Sequence, residues 1–361
     1  MAEADKLQAI RRKIDELDSD IQSLISERAK CAEEVARIKR GAGEHDGFYR
    51  PEREAEVIRK VLERNTGPLG DSEIAILFRE IMSACLGLQQ SMRIAYLGPE
   101  GTFTHAAAMK HFGQNVPTDA YSAIDRVFRE VSAGHANYGV VPVENSTEGV
   151  VNHTLDTFLS SDLKICGEIE LRIHHHLMAK TESISDVKKI YSHQQSLAQC
   201  RNWLNENMAG VETIAVSSNA EAAKIAADDA TAAAIGSDAA AGIYNISVLA
   251  SNIEDNPNNT TRFIVVGNHA VSPSGHDKTS MLVSANNQPG ALHSLLAPIA
   301  KHNLSMNKIE SRPSQKGMWE YVFFIDVDGH QDDENVKTAL NELRDAAAML
   351  KVLGSYPKAV L

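Results

Sequence analysis

Residues 7–39 read LQAIRRKIDELDSDIQSLISERAKCAEEVARIK. Ile10, Ile14, Leu17, Ile21, Leu24, Arg28, Cys31, Val35 and Ile38 recur at three- and four-residue spacing from end to end. This is the pattern of one long helix with an apolar seam suited to a supercoil. Arg28 lies inside the seam, and Arg11 and Lys39 fall on roughly the same side of a supercoiled helix. Burying such cations without counter-charge is costly, so something anionic should meet them. Arg11 and Lys39 stand about 42 Å apart along one helix, too far for one small ligand. If Arg28 and Lys39 hold that ligand, Arg11 must arrive from a partner subunit. The same residues also suit snorkelling or ion pairing with Glu27 or Glu33.

Downstream, Gly41 to Gly47 breaks the helix and Pro51 suits the first turn of a second one, with Val57, Ile58, Val61 and Leu62 on one side. Asn65 to Gly70 is a linker, and Asp71 or Ser72 can cap a third helix bearing Ile74, Leu77, Phe78, Ile81 and Met82. Three helices of such unequal length cannot cover a seam of roughly 45 Å, which predicts an intertwined helical dimer. From Arg93 the rhythm changes to short apolar runs alternating with helices: Arg93–Leu97, Tyr138–Val143, Lys164–Ile169, Lys189–Ser192, Glu212–Val216, Ala232–Ile235 and Arg262–Val266. That rhythm predicts an α/β domain with largely parallel strands and ligands where strands end and helices begin. His269–Asp277 reads as a linker. Beyond it, strand Thr279–Ala285, helix Gly290–His302, strands Met306–Ser311 and Glu320–Val327, helix Asp333–Leu350 and a short strand Lys351–Leu353 make a ferredoxin-like α+β unit. The expected domains are 1–91, 92–268 and 278–361.

The bulk properties agree with a multidomain globular chain: 361 residues, 43% hydrophobic and 23% charged. A formal net charge of −12 argues against nucleic acid or anionic membrane as partners. Met1 to Lys6 carries Glu3 and Asp5 with no apolar run behind it, so no secretory signal is expected, and the scattered Cys31, Cys85, Cys166 and Cys200 suit reduced thiols in the cytoplasm. His174-His175-His176 invites a metal reading, but adjacent strand residues point to opposite faces and no carboxylate or Cys lies at ligand spacing nearby in sequence. No metal and no cofactor is expected.

The run Leu7–Lys39, followed by Arg50-Pro51-Glu52-Arg53-Glu54 and closing with Gln89-Gln90, resembles the all-helical class of chorismate mutases over the whole segment. The resemblance implies that the chorismate carboxylates meet Arg11 and Arg28, with Arg50 and Arg53 nearby. Lys39 and Gln89 would serve the breaking ether oxygen and Glu54 the substrate hydroxyl. The reaction is pericyclic, so the site need only hold the reactive conformer and stabilise charge on that oxygen. Cys85 stands where the family often has Ser. Gln89 stands where some members have a Glu that must be protonated, so mutase activity should vary little with pH in the weakly acidic to neutral range.

Tyr96-Leu97-Gly98-Pro99-Glu100-Gly101-Thr102-Phe103 is a strand, a Gly-rich turn and a helix start, and it presents free N–H groups to an anion. His105 within it reads as a helix-surface residue. Val141-Pro142-Val143-Glu144-Asn145-Ser146 and the run from Tyr191-Ser192-His193-Gln194-Gln195 to Gln199-Cys200 are further strand exits, and Asn259-Thr260-Thr261-Arg262-Phe263 enters a strand. Together, in this order, the four resemble prephenate dehydratase, a fold of two α/β lobes of periplasmic-binding-protein type with the site between them. The resemblance makes Thr261 essential, as a hydrogen-bond donor to the departing hydroxyl. It leaves Glu144 or His193 as the proton source. Thr102, Asn145, Ser192 and Gln199 would bind carboxylate or hydroxyl groups, and Arg262 would supply positive charge. Arogenate dehydratases share such motifs. A non-catalytic two-lobed sensor is the reading from another class, disfavoured by Arg28, Lys39, Asn145 and Thr261.

Gln288-Pro289-Gly290-Ala291-Leu292 and Ile309-Glu310-Ser311-Arg312-Pro313 resemble the paired motifs of the ACT domain in phenylalanine-regulated dehydratases. The resemblance implies L-phenylalanine bound where two such domains meet, touching Gly290, Ala291, Leu292, Glu310, Ser311 and Arg312. It also implies a homodimer or a dimer of dimers.

Overall fold

The computed structural model describes residues 2–43, 49–285, 288–313 and 321–360. Gly47 of the expected helix break and Glu320 of the expected strand lie outside them. The N-terminal domain is three helices, α1 (Ala2–Gly41), α2 (Pro51–Glu63) and α3 (Asp71–Gln89). Pro51 takes the first turn of α2, where its fixed φ and missing N–H cost nothing. Neither Asp71 nor Ser72 caps α3: the N-cap is Gly70, and the Asp71 carboxylate accepts a 2.7 Å hydrogen bond from Asn65 Nδ2 across the linker. Residues 3–27 of α1 are all exposed, and Ile10, Ile14, Leu17, Ile21 and Leu24 are each at least half exposed. No described helix is long and apolar enough to cross a membrane.

The central domain has two α/β lobes. The first contributes β1 (Ile94–Leu97), α4 (Phe103–Phe112), β2 (Thr118–Tyr121), α5 (Ile124–Ser132), β3 (Tyr138–Asn145), β4 (Gly149–Val150), α6 (Asn152–Phe158) and β5 (Lys164–Arg172). The second contributes β6 (His176–Ala179), β7 (Lys189–His193), α7 (Gln194–Gln199), α8 (Arg201–Asn207), β8 (Glu212–Val216), α9 (Asn219–Asp228), β9 (Ala232–Gly236), α10 (Asp238–Tyr244) and β10 (Ser247–Ala250). The chain then returns to the first lobe as β11 (Thr260–Gly267). The sheet orders are β2-β1-β3-β11-β5 and β10-β6-β9-β7-β8. β1 to β3 and β7 to β9 pair in parallel as expected, but β11 runs antiparallel to both β3 and β5, because it re-enters the first sheet from the other lobe. β6 and β10 are antiparallel as well.

The C-terminal domain is β12 (Asp277–Ser284), α11 (Ala291–Lys301), β13 (Met306–Pro313), β14 (Tyr321–Asp328), α12 (Glu334–Ala346) and β15 (Met349–Pro357), an antiparallel sheet in the order β13-β14-β12-β15. α12 stops short of Leu350 because β15 is much longer than the expected Lys351–Leu353. α11 and α12 cover Met281, Val283, Ile325 and Val327 on one face. The other face, with Leu282, Val322, Phe324, Leu353 and Tyr356, joins Val143, Ile165 and Ile264 of the first lobe in one core. Gly354 permits that approach, since a Cβ there would collide with the backbone of Ile165.

Candidate active sites

In the helical domain, α1 and α3 meet at their C-terminal ends, where Arg40 donates to the Gln89 carbonyl at 2.8 Å. Lys39 and Gln89, each half-buried, are thereby carried to the same end of the domain. Arg28, also half-buried, and Arg79 act electrostatically on Glu54. Burial pushes the Glu54 carboxyl up to about 7, against the downward pull of Arg79 and Arg28. Glu54 thus stands beside Gln89 as a second group that bears on the pH profile. Cys85 is buried on α3 one turn before Gln89. Arg50 precedes α2 with its side chain half exposed, 3.5 Å from Glu52. Arg53 is exposed on α2 and pairs with Glu56 at 2.6 Å. Arg11 sits on the exposed half of α1. Arg79, which sequence reasoning missed, has no local signal; it also donates to the Lys110 carbonyl at 2.5 Å, tying this domain to α4.

Between the two α/β lobes lies a cleft of about 320 Å³, lined by Thr102, Asn145, His175, His193, Gln199 and Thr261 among others. Three helices begin at it: α4 capped by Thr102, α7 capped by His193 and α9 capped by Ser218. Among the described residues that line it there is no Lys or Arg, so helix N-terminal N–H groups supply the positive potential there. Thr102 Oγ1 donates to the Pro99 carbonyl at 2.9 Å and accepts from His105 N–H. His105 is not on the helix surface: it is buried, stacked on Tyr96 at 4.9 Å, and burial lowers its pKa.

Polarity at the cleft floor is set by Asn145. Its Oδ1 accepts the N–H groups of Thr147 and Glu148, both at 3.0 Å, so its amide nitrogen is the end that faces Thr261 Oγ1 at 2.7 Å and Asn259 Oδ1 at 2.8 Å. The Thr261 oxygen thus accepts from Asn145 and its own proton is left for the cleft, the arrangement a hydrogen-bond donor to a departing hydroxyl needs. Asn259 Nδ2 continues to Gln199 Oε1 at 3.0 Å, which His175 Nε2 also approaches at 2.9 Å.

Three segments match family models: residues 10–90 chorismate mutase type II, 94–271 prephenate dehydratase, and 279–345 the ACT domain. The whole chain is 56% identical over 365 residues to the bifunctional chorismate mutase/prephenate dehydratase of Pseudomonas aeruginosa, covering 100% of both. It belongs to the bifunctional chorismate mutase/prephenate dehydratase family. A relative of that name from Neisseria gonorrhoeae is 50% identical over 354 residues, 97% of each chain. The crystal structure of prephenate dehydratase from Arthrobacter aurescens in complex with L-Phe matches with a TM-score of 0.69 at 36% identity, covering 74% of this chain and 90% of that one.

Within this bifunctional fold three dehydratase expectations are corrected. Glu144 and Arg262 each follow or precede a cleft residue on their strands, and alternation turns them to the opposite face, toward the ACT sheet. Glu144 Oε2 is 2.8 Å from Lys308, while Arg262 is 2.9 Å from Glu168, 2.6 Å from Asp326 and 2.8 Å from the Tyr356 hydroxyl. Glu144 therefore does not protonate a group in the cleft, and Arg262 does not meet the substrate. Ser192 is fully buried, with its hydroxyl against Asn219 Oδ1 and the Ile235 carbonyl, so it braces the cleft wall instead of binding substrate. The period-two alternation was readable from sequence for Glu144-Asn145 and Thr261-Arg262. Asn219 was missed; Asn259 opens the fourth motif but was given no role, and His175 was weighed only as a metal ligand.

In the ACT domain Gly290 has φ +80 and starts α11, followed by Ala291 and the exposed Leu292. On β13 Ser311 is exposed, whereas Lys308, Glu310 and Arg312 alternate onto the face turned to the dehydratase. Arg312 forms a two-pronged pair with Asp156 of α6 at 3.0 and 2.8 Å, so its guanidinium is committed to the dehydratase domain and the expectation of an effector contact is corrected.

Proposed function

We propose that this chain rearranges chorismate to prephenate in its helical domain, residues 1–91, and converts prephenate to phenylpyruvate in the cleft of residues 92–268. L-phenylalanine would restrain the second step from residues 278–361. The protein works as a cytoplasmic homodimer or dimer of dimers, because the α1 seam is exposed over its N-terminal half and Arg11 lies far from the other mutase residues of its own chain.

For the mutase, Arg28 and the partner's copy of Arg11 take the carboxylates. Lys39 and Gln89 stabilise the ether oxygen, and Glu54 accepts from the substrate hydroxyl. For the dehydratase, the carbon–carbon bond to the ring carboxylate breaks and CO2 leaves. Its electrons aromatise the ring as the carbon–oxygen bond opens, and hydroxide departs as water on taking a proton. Thr261 donates to that oxygen, His193 is the proton source, and Gln199 with the helix N-termini holds the carboxylates, while Asn145 and Thr102, whose protons go to Thr261 and Asn259 and to the Pro99 carbonyl, brace the site. The observation that carries this reading is the pinned Asn145 amide, which leaves the Thr261 proton for the cleft.

Effector binding is assigned to Gly290, Ala291 and Leu292 of one protomer against the exposed Ser311 of another, with Glu310, half-buried on the dehydratase-facing side of β13, left out of that contact. The test is to supply purified protein with chorismate and follow prephenate and phenylpyruvate with and without L-phenylalanine. Both products should form, and L-phenylalanine should raise the prephenate concentration needed for half-maximal rate. Prephenate accumulating with no phenylpyruvate would contradict it.

A further inference from the structure

We infer that His175 is a positioning residue of the dehydratase, whose proton on Nε2 joins the Asn259 amide in holding the Gln199 carbonyl inward, so that the Gln199 NH2 is kept as the donor end at the cleft. The inference rests on the proposed dehydratase reaction for its kinetic arm and on geometry alone for its spectroscopic arm.

The argument runs from the fixed end inward. Two backbone N–H groups hold Asn145 Oδ1, so Asn145 can only donate to Asn259 Oδ1. Asn259 Nδ2 is then the end that faces Gln199 at 3.0 Å, and the Gln199 atom there must be the acceptor Oε1. That oxygen is also the atom 2.9 Å from His175 Nε2, which must therefore carry a proton. Were the proton on Nδ1, Nε2 would seek a donor and Gln199 would turn its NH2 inward. Two NH2 groups would then oppose each other at Asn259, and no flip elsewhere could relieve the clash, because Asn145 is pinned.

The surroundings of His175 enforce the same tautomer. The residue is 1% exposed, and its Nδ1 is buried without a hydrogen-bond partner among the described residues. The edge-on ring of Phe103 lies 5.5 Å from the imidazole. A proton on Nδ1 would be a buried, unsatisfied donor, which is costly, whereas a bare lone pair there costs less. Burial lowers the His175 pKa, against the raising effects of the Gln199 hydrogen bond and Glu254. Glu254 anchors the adjoining backbone by accepting His175 N–H at 2.8 Å and holding His174 Nδ1 at 2.7 Å. With Oε1 of Gln199 used twice, its Nε2 points to Glu148 at 3.3 Å and remains the donor end.

The experiment compares His175→Phe with His175→Gln, which retains a neutral N–H donor, in the full-length protein. Chorismate mutase turnover in the same samples serves as the folding control. Dehydratase kcat should fall about tenfold or more in His175→Phe, the size expected when a hydrogen-bonded positioning group is lost, with KM for prephenate changing less. His175→Gln should recover most of the loss. Equal losses in the two variants, or a His175→Phe kcat within about twofold of the parent, would overturn the role. Independently of any turnover, 15N-histidine spectra of the parent, with the His175 signal assigned by its absence from His175→Gln, should show a neutral ring protonated at Nε2. A ring protonated at Nδ1 would overturn the inference even if the kinetic pattern held. A parent that fails to convert prephenate at all would instead refute the dehydratase assignment.

Discussion

Glu54 shows how one burial decides a pH profile. Its carboxyl is carried from an ordinary 4.5 to about 7 by burial, with Arg79 and Arg28 pulling the other way. The ionised form is the one that accepts from a substrate hydroxyl, so mutase kcat/KM should rise between pH 6 and 8 and then level. Glu54→Gln should abolish that rise, and a profile unchanged by the substitution would remove Glu54 from the site. The sign for stability is opposite. A folded-state pKa above the unfolded one means the contribution is fully present below about pH 4.5 and is lost as pH rises through about 7. At Thr261 the outcome is simpler: Thr261→Val keeps the shape but removes the donor, and dehydratase kcat should fall about a hundredfold while the mutase rate is untouched. Glu144→Gln, by contrast, should leave the pH dependence of the dehydratase unchanged, because its carboxylate faces Lys308 and not the cleft.

Strands β3 and β11 each present one side to the cleft and the other to the ACT sheet. On the ACT side Arg262 is nearly buried among Glu168, Asp326 and the Tyr356 hydroxyl, with Lys278 2.7 Å from the same Glu168. Removing one member of such a cluster strands its partners without counter-charge. Arg262→Met should therefore cost about 3–5 kcal/mol, read as a lower denaturant midpoint, whereas breaking the exposed Arg93–Asp119 pair should cost at most about 1 kcal/mol. Equal effects would show that the junction is no more than surface ion pairing. These elements also mark where sequence reading succeeds and fails. The helix start at Pro51 was legible, and one expected near Thr104 falls at Phe103, because Pro, Gly and Thr act on their own few residues. The direction of β11 was not, since it depends on where the chain returns from the second lobe. The partners of Arg262 and Arg312 lie in another domain, and no local pattern marks Asp326 or Asp156 as their destination. The length of β15 was hidden for a similar reason: it is supported by β12 and by close contact with Ile165 beyond its own domain.

At the scale of the whole molecule, a chain of net charge −12 still gathers cations at two places: Arg28 and Lys39 on the mutase helix, and Arg262, Lys278, Lys308 and Arg312 at the ACT junction. The dehydratase cleft relies on helix N-termini instead. Under the proposed dimer a second copy covers the exposed apolar seam of α1, so Leu17→Glu should abolish mutase turnover and leave dehydratase turnover in place. Mutase turnover that survives the charge would contradict the seam as the interface. The central claim is that each mutase site joins Arg28 of one subunit to Arg11 of the other. Differently tagged Arg11→Ala and Arg28→Ala chains, co-expressed and purified as heterodimers, measure this most directly. Each heterodimer then holds one intact site and one doubly damaged site, so mutase activity should return to about half that of the parent, although each variant alone is nearly inactive. Heterodimers no more active than the two single variants would contradict a site shared between subunits.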